Sequence, residues 1–194
     1  MLSDHRKRCK RFDVDGDAHC LTFSCFHRLP LLSRKRSCLW MCEALKMRKE
    51  RDLYDLWAYV IMPEHVHIVL LPHPGVKISR ILNTLKQSVS KRALIWLRQY
   101  AGDFLVKLAD VQPNGKKCYR FWQRGGGYDR NLRTVSDIYE KIEYIHNNPV
   151  RKGLTACAQD WPWSSSRAWE TGIDTPIAIN RQSLPSLTQV VEQL

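Results

Sequence analysis

The chain has 194 residues, 44% of them hydrophobic, with 31 Lys and Arg against 19 Asp and Glu and a formal net charge of +12. That length fits one domain, and the apolar share supports a packed core, which excludes a disordered chain. No run of about 18 apolar residues occurs, which excludes a transmembrane helix; the excess positive charge favours polyanionic partners, nucleic acid before anionic membrane.

Residues 1–17 read as a mobile leader, basic at Arg6-Lys7-Arg8 and Lys10-Arg11 and acidic from Asp13 to Asp17. No apolar segment follows the basic residues, so the leader is not a signal peptide. Ala18–Phe26 has the composition of a strand, and His27-Arg28-Leu29-Pro30 that of a turn. Ser37–Glu50 reads as a helix with Leu39, Met41, Cys42 and Leu45 on its apolar side. Leu53–Met62 and His65–Leu71 read as strands separated by Pro63-Glu64, a break short enough for an antiparallel hairpin. Ile78, Ile81, Leu82, Leu85, Val89, Ala93 and Trp96 recur at helical spacing and predict a long amphipathic helix over Ile78–Tyr100. Gly102–Lys117 is an irregular excursion, and Cys118–Gln123 is expected as the fourth strand, ended by Gly125-Gly126-Gly127. Thr134 or Ser136 caps a last helix that runs to about Asn147, short of Pro149.

The order β-α-β-β-α-β-α predicts an α+β, ferredoxin-like (RRM-like) sandwich: an antiparallel sheet of four to five strands with helices on one face. The domain is expected over residues 18–170, with Trp161 and Trp163 pinning its last stretch to the core, and 171–194 as a C-terminal tail. The seven cysteines (9, 20, 25, 38, 42, 118 and 157) are odd in number and form no Cys-x-x-Cys pair. They read as reduced, buried packing thiols in the cytosol rather than as a disulfide framework or zinc ribbon.

Two stretches carry chemistry. On a strand, His65 and His67 project side by side from one face while Val66, Ile68 and Leu70 point to the other. Such a pair is a compact two-nitrogen metal platform, although two hydrogen-bonded histidines have the same spacing. On the last helix Ile138, Ile142 and Ile145 form the apolar stripe, and Tyr144 lies roughly 120° from its centre. Asn148, four residues on, stacks on the side of Tyr144, so a phenol and an amide oxygen can face one point. An asparagine at a helix C-terminus before proline also has purely local uses. His19 is expected to pack within the sheet.

Pro63-Glu64-His65-Val66-His67, followed by Glu143-Tyr144-Ile145-His146-Asn147-Asn148-Pro149-Val150-Arg151-Lys152-Gly153-Leu154, resembles the REP-associated tyrosine transposases, single-tyrosine transposases of the HUH endonuclease superfamily. His19-Cys20-Leu21-Thr22-Phe23, Phe121-Trp122-Gln123-Arg124, Tyr128-Asp129-Arg130 and Asp160-Trp161-Pro162-Trp163-Ser164-Ser165 extend the likeness to about residues 18–169. The resemblance implies cleavage and rejoining of single-stranded DNA next to hairpins. Tyr144 is then the nucleophile on the last core helix and forms a covalent 5′-phosphotyrosine. It also implies that His65 and His67, with Asn148 as third ligand, hold Mg²⁺ or Mn²⁺. Lys86, Arg92, Arg120, Arg124, Arg130, Arg133, Arg151 and Lys152 become candidate phosphate contacts, and Trp122 a candidate base-stacking platform. The implied location is cytoplasmic, on the nucleoid, with no membrane. Monomer and homodimer both stay open, with Tyr144 meeting the histidines of its own chain or of a second copy. Two other readings remain. One is a catalytically silent hairpin-binding protein domesticated for regulation. The other is a Zn²⁺ hydrolase, which lacks an evident third His or Asp ligand.

Overall fold

The computed structural model describes residues 14–47, 51–112, 114–174 and 176–186. The leader up to residue 13, the expected helix end Arg48-Lys49-Glu50, Pro113 of the excursion and the tail from residue 187 lie outside the described residues. Strand β1 (Ala18–Ser24) leads through a 3-10 turn at Phe26–Arg28 to α1 (Lys35–Lys46). Strands β2 (Tyr54–Ile61) and β3 (His65–Pro72) precede the long α2 (Ile78–Tyr100). After a 3-10 segment at Gly102–Leu108 come β4 (Ala109–Val111), β5 (Lys117–Tyr119) and β6 (Tyr128–Leu132). The chain then forms α3 (Val135–His146), α4 (Asn148–Arg151) and α5 (Ser166–Thr171). Thr134 caps α3, its hydroxyl accepting from the Asp137 amide at 3.0 Å.

The main sheet has strand order β2-β3-β1-β6, with every neighbouring pair antiparallel. This is the expected α+β ferredoxin-like sheet, with two corrections. The fourth strand is Tyr128–Leu132, not Cys118–Gln123. Residues 117–119 instead pair with 109–111 in a separate hairpin. Phe121 and Trp122 then turn into the core, where Trp122 bridges to Cys25 beyond the end of β1. The true fourth strand escapes sequence reading because Tyr-Asp-Arg-Asn-Leu is a polar edge strand, buried only at Leu132.

Helices also cover both faces rather than one. Leu21, Phe23, Val66, Ile68 and Leu70 pack beneath α1 and α2, while Cys20, Ala58, Val60, Met62 and Val69 pack beneath α3. A sheet apolar on both faces must be covered on both. In β2 the pairing register shifts between Leu56 and Ala58, and the bulge puts Trp57 and Ala58 on the same, α3-facing side.

The outer edge of β2 is closed by the C-terminal part of the chain. The Ile61 amide donates to the Trp163 carbonyl (2.8 Å), the Ser165 amide to the Tyr59 carbonyl (3.0 Å), and the Asn180 amide to the Leu56 carbonyl (2.7 Å). These bonds satisfy backbone groups that an open edge would expose. Trp161 donates its indole N–H to the Ile61 carbonyl at 3.0 Å and Trp163 packs on the α1/α2 core, so both tryptophans pin the chain as expected. Cys20, Cys25, Cys38 and Cys42 are buried and free. Burial pushes Cys20 and Cys42 up to about 11 and Cys38 to about 12, and also raises Cys25, so all four pack as neutral thiols.

His146, at the end of α3, is buried with Nε2 2.8 Å from Ser165 Oγ. That hydroxyl also accepts from the Tyr59 amide at 2.9 Å. Ser165 has no exposed surface, so the pair ties α3 to β2 and is not a nucleophile–base dyad. Burial pushes His146 down to about 4. Because this lies below the unfolded value near 6.5, unfolding takes up a proton at His146. Its contribution is full above about pH 6.5 and is lost as pH falls toward 4, on the order of 3 kcal/mol in all. Thermal unfolding followed by circular dichroism is expected to show a falling Tm over that window, with a shallower fall in His146→Gln.

Candidate active site

The site starts from one pairing register. Strands β1 and β3 run antiparallel with Thr22 opposite His67 and Ser24 opposite His65. His65 and His67 therefore leave the α3-facing side of the sheet together, and both are buried there. Their Nε2 atoms stand 2.9 Å apart, with the rings at 89°. His65 Nδ1 lies 3.0 Å from Glu64 Oε1, an acceptor only, so Nδ1 carries the proton and Nε2 offers a lone pair. His67 Nδ1 lies 2.8 Å from Thr22 Oγ1, which can donate or accept. If the hydroxyl donates, His67 gives its Nε2–H to His65. If it accepts, both lone pairs face one point, and a proton or cation must lie between them.

Burial, then the charges of His65 and Arg151, push His67 down to about 3. His65 is also lowered, first by burial and further by Arg28 and Lys152, while Glu64 pulls the other way. At neutral pH both rings are neutral, the form that binds metals. Two nitrogens bound side by side at about 2.1 Å to one octahedral ion stand about 3 Å apart. The observed 2.9 Å separation fits that arrangement. Among the described residues no third His, Cys, Asp or Glu joins the pair; Glu64 holds the far edge of the His65 ring.

Helix α3 lies on the histidine side of the sheet, packed on β2, β3 and β6 through Ile138, Ile142 and Ile145. Tyr144 points away from that stripe and is half exposed, at 46%. The chain continues into α4 with Pro149 in its first turn, which brings Arg151 back over the end of α3. The Arg151 guanidinium carbon lies 4.1 Å from the Tyr144 ring centroid, and Lys141 approaches the same ring at 5.1 Å. Arg151 also donates to the Tyr144 carbonyl at 2.9 Å and to Asn148 Oδ1 at 3.3 Å. Asn148 is buried, and its Nδ2 donates to the Tyr144 carbonyl at 3.3 Å. Arg151 thus contacts both Tyr144 and Asn148, and its charge acts on His67.

Residues 21–103 match the model of the IS200-like transposase family. A candidate REP-associated tyrosine transposase of Haemophilus influenzae is 26% identical over 123 residues, which span 63% of this chain and 64% of the relative, just under two thirds. The REP-associated tyrosine transposase of Escherichia coli is 22% identical over 160 residues, 80% of each chain. The chain is similar to the REP-associated tyrosine transposases. A solved structure of one such transposase, bound to a REP hairpin, superposes with a TM-score of 0.64 over 93% of this chain and 98% of that one, at 21% identity. That likeness carries the fold. The transposase family is one of DNA-processing enzymes, and no helix among the described residues is long and apolar enough to cross a membrane.

The basic residues picked out from the sequence are spread over several elements, most of them in local contacts. Arg120 and Arg124 both converge on Asp110, Arg124 with three contacts of 2.7, 2.8 and 3.0 Å. Their hydrogen bonds and charges hold the Asp110 carboxyl below its ordinary value. Arg92 pairs with Glu43 between α2 and α1, and Arg130 with Asp137 at 2.9 Å. Lys86 donates to the Gly125 carbonyl at 2.7 Å. Arg133 is well exposed, 4.0 Å from Asp17. Arg151 and Lys152 are the two that act on the histidines. Trp122 is a correction: it is 5% exposed, packs against Phe23 and Phe121, and gives its N–H to the Lys86 carbonyl, so it offers no face to a base. His19 packs in the sheet as expected, its Nδ1 2.7 Å from Asp129.

Sequence reasoning missed four positions. Thr22 becomes visible only through the β1/β3 register, and Glu64 through its adjacency to His65. Arg28 sits at φ 53° in the turn after β1, an unusual conformation for a residue with a side chain, and places its charge near His65. Gly127 has φ 79°, and a Cβ there would collide with the Thr22 carbonyl oxygen. The glycine run was the signal for a close approach, but not for what is approached.

Two outcomes follow. Trp122→Ala is expected to lower global stability by about 3–5 kcal/mol in chemical denaturation, whereas loss of DNA affinity with unchanged stability would return Trp122 to the surface. Gly127→Ala is expected to cost at least roughly 1–3 kcal/mol and to shift the His67 imidazole resonances in NMR. A variant with wild-type stability and an unmoved His67 signal would show that the Gly127–Thr22 contact does not position the site.

Proposed function

We propose that this protein is a metal-dependent transposase that cleaves and rejoins single-stranded DNA beside hairpin sequences through a 5′-phosphotyrosine at Tyr144. The observation that carries the proposal is the pair of buried, neutral imidazoles facing each other at 2.9 Å on the side of the sheet that bears the Tyr144 helix. The likeness to REP-associated transposases, one of them solved with a REP hairpin, supports the substrate class.

His65 and His67 would hold Mg²⁺ or Mn²⁺, and Asn148 would be the third protein donor. Its amide oxygen is within 3.3 Å of Arg151, which must yield it. When bound, the ion supplies Lewis-acid polarisation of the scissile phosphate. Glu64 and Thr22 hold the outer ring nitrogens and keep both rings aimed, and the Glu64 carboxylate fixes the His65 tautomer. Arg151 and Lys152 neutralise phosphate oxygens as charge builds on them. The Tyr144 oxygen attacks phosphorus and loses its proton to water; the 3′-oxygen leaves and takes up a proton. One phosphoester bond replaces another, so attack by a 3′-hydroxyl reverses the step and rejoins strands with no external energy source. Within one chain, Arg151 touches the Tyr144 ring and acts on His67. This supports a site assembled in a single protomer.

A labelled hairpin oligonucleotide with single-stranded flanks, incubated with Mn²⁺, is expected to yield a protein–DNA adduct that survives denaturing electrophoresis. The adduct should vanish in Tyr144→Phe and in the double variant His65→Ala/His67→Ala. It should persist in Tyr139→Phe, whose hydroxyl donates to the Pro185 carbonyl at 3.1 Å instead. An adduct that survives Tyr144→Phe rules out the nucleophile. Tight hairpin binding with no adduct under any divalent ion assigns the chain to binding alone.

A further inference from the structure

The face of the molecule opposite the histidines holds a groove of about 960 Å³ between the start of α1, the end of α2 and the 3-10 segment at Gly102–Leu108. Its volume lies at the upper end of the roughly 300–1,000 Å³ typical of ligand sites. Trp40, Trp96 and Phe104 line it and are only partly buried. Arg34, Lys35, Arg36 and Lys107 stand on its rim. The Arg36 guanidinium carbon lies 3.9 Å from the Trp96 ring centroid, and Lys107 Nζ lies 5.5 Å from that of Phe104.

These cations differ from those discussed above. Arg92, Arg120, Arg124 and Arg130 each have a carboxylate partner. Among the described residues, no ion pair involves Arg34, Lys35, Arg36 or Lys107. Four cations that form no ion pair with a described residue, set around an aromatic-walled groove, match a polyanion with flat rings. The groove is also joined to the histidine site. Residues 25–32 run alongside the Pro63-Glu64 turn, with the Cys25 amide donating to the Glu64 carbonyl and the Leu32 amide to the Pro63 carbonyl, both at 2.8 Å. Arg28, in the middle of that segment, acts on His65, and Leu29 to Leu31 form one end of the groove.

We infer that this groove binds a single-stranded DNA segment, its bases stacked on Trp96 and Trp40 and its phosphates on Arg34, Lys35, Arg36 and Lys107. The inference rests on the reading that the chain acts on DNA. A strand leaving the histidine site passes over Arg28 and enters the groove past Leu29–Leu31. The Arg36 guanidinium now lies on the Trp96 ring, so it must swing off that face to admit a base and can then close on the base's other side.

The test uses the full chain in EDTA and a labelled oligothymidylate of about 12 nucleotides, within the ~4–16 nucleotide range of single-strand sites. It has no hairpin, and the affinity is read by fluorescence anisotropy. Trp96→Ala is expected to weaken binding about tenfold or more, while Trp96→Phe, which keeps a ring, retains most of the affinity. Arg34→Glu/Lys35→Glu is expected to flatten the salt dependence by roughly 0.7 in log–log slope per lost contact. Unchanged affinity in both Trp96→Ala and the charge-reversal variant, with wild-type melting curves, overturns the inference. Tighter Trp96-dependent binding of oligouridylate than of oligothymidylate overturns it in favour of RNA. Because the assay contains no metal and needs no cleavage, absence of the covalent adduct with intact groove binding refutes the chemistry alone.

Discussion

The antiparallel ladder between β1 and β3 is the constraint on which the site depends. It sets Thr22 against His67 and, through the two-residue period of a strand, sends both imidazoles to one side and Val66 and Ile68 to the other. A slip of one residue would bury the imidazoles among α1 and α2 and put valine and isoleucine in the site. Register is therefore enforced by the hydrophobic core as well as by hydrogen bonds. The histidines sit where a fold error costs most, which makes their geometry stiff. Around this ladder the other parts are placed by packing: Ile138, Ile142 and Ile145 press α3 onto the same face, and Pro149 turns the chain so that Arg151 lies over Tyr144.

Charge is distributed by the same logic. A formal +12 suggests a uniformly basic surface, but the structure divides its cations into two groups. Several arginines act as struts: Arg92 joins two helices through Glu43, and Arg120 and Arg124 anchor the small hairpin through Asp110. Others, beside the histidines and around the groove on the opposite face, form no ion pair among the described residues. Net charge describes long-range attraction to nucleic acid; the pattern of pairing determines which cations meet it at contact.

The sequence makes most of this fold legible where hydrophobic periodicity is strong. The bounds Ile78–Tyr100 come directly from apolar residues at helical spacing, and His65 and His67 from the alternation of a strand. The polar edge strand Tyr128–Leu132 was hidden because its neighbour β1, not its own composition, makes it a strand. Placing Trp122 at a DNA surface failed because aromatic residues beside arginines look alike whether they face solvent or core; the bridge to Cys25 decides. Helices were expected on one face because the pattern of elements does not reveal that both sheet faces are apolar. Thr22 and Gly127 could not be linked to His67 without the register, since 45 residues separate Thr22 from its partner.

The hairpin β4–β5 is joined to the remainder differently from every other element. Its strands pair with each other and not with the main sheet, and Asp110 fastens it to Arg120 and Arg124 just downstream. Neither the histidine pair nor the tyrosine helix borrows a residue from it. It is consequently an exchangeable appendage. Segments of different length and sequence can be spliced in between Ala109 and Tyr119 while the main sheet and its helices keep their shape, provided that an acid remains to hold the two arginines. A scaffold built this way can diversify what it reaches without reopening how it reacts.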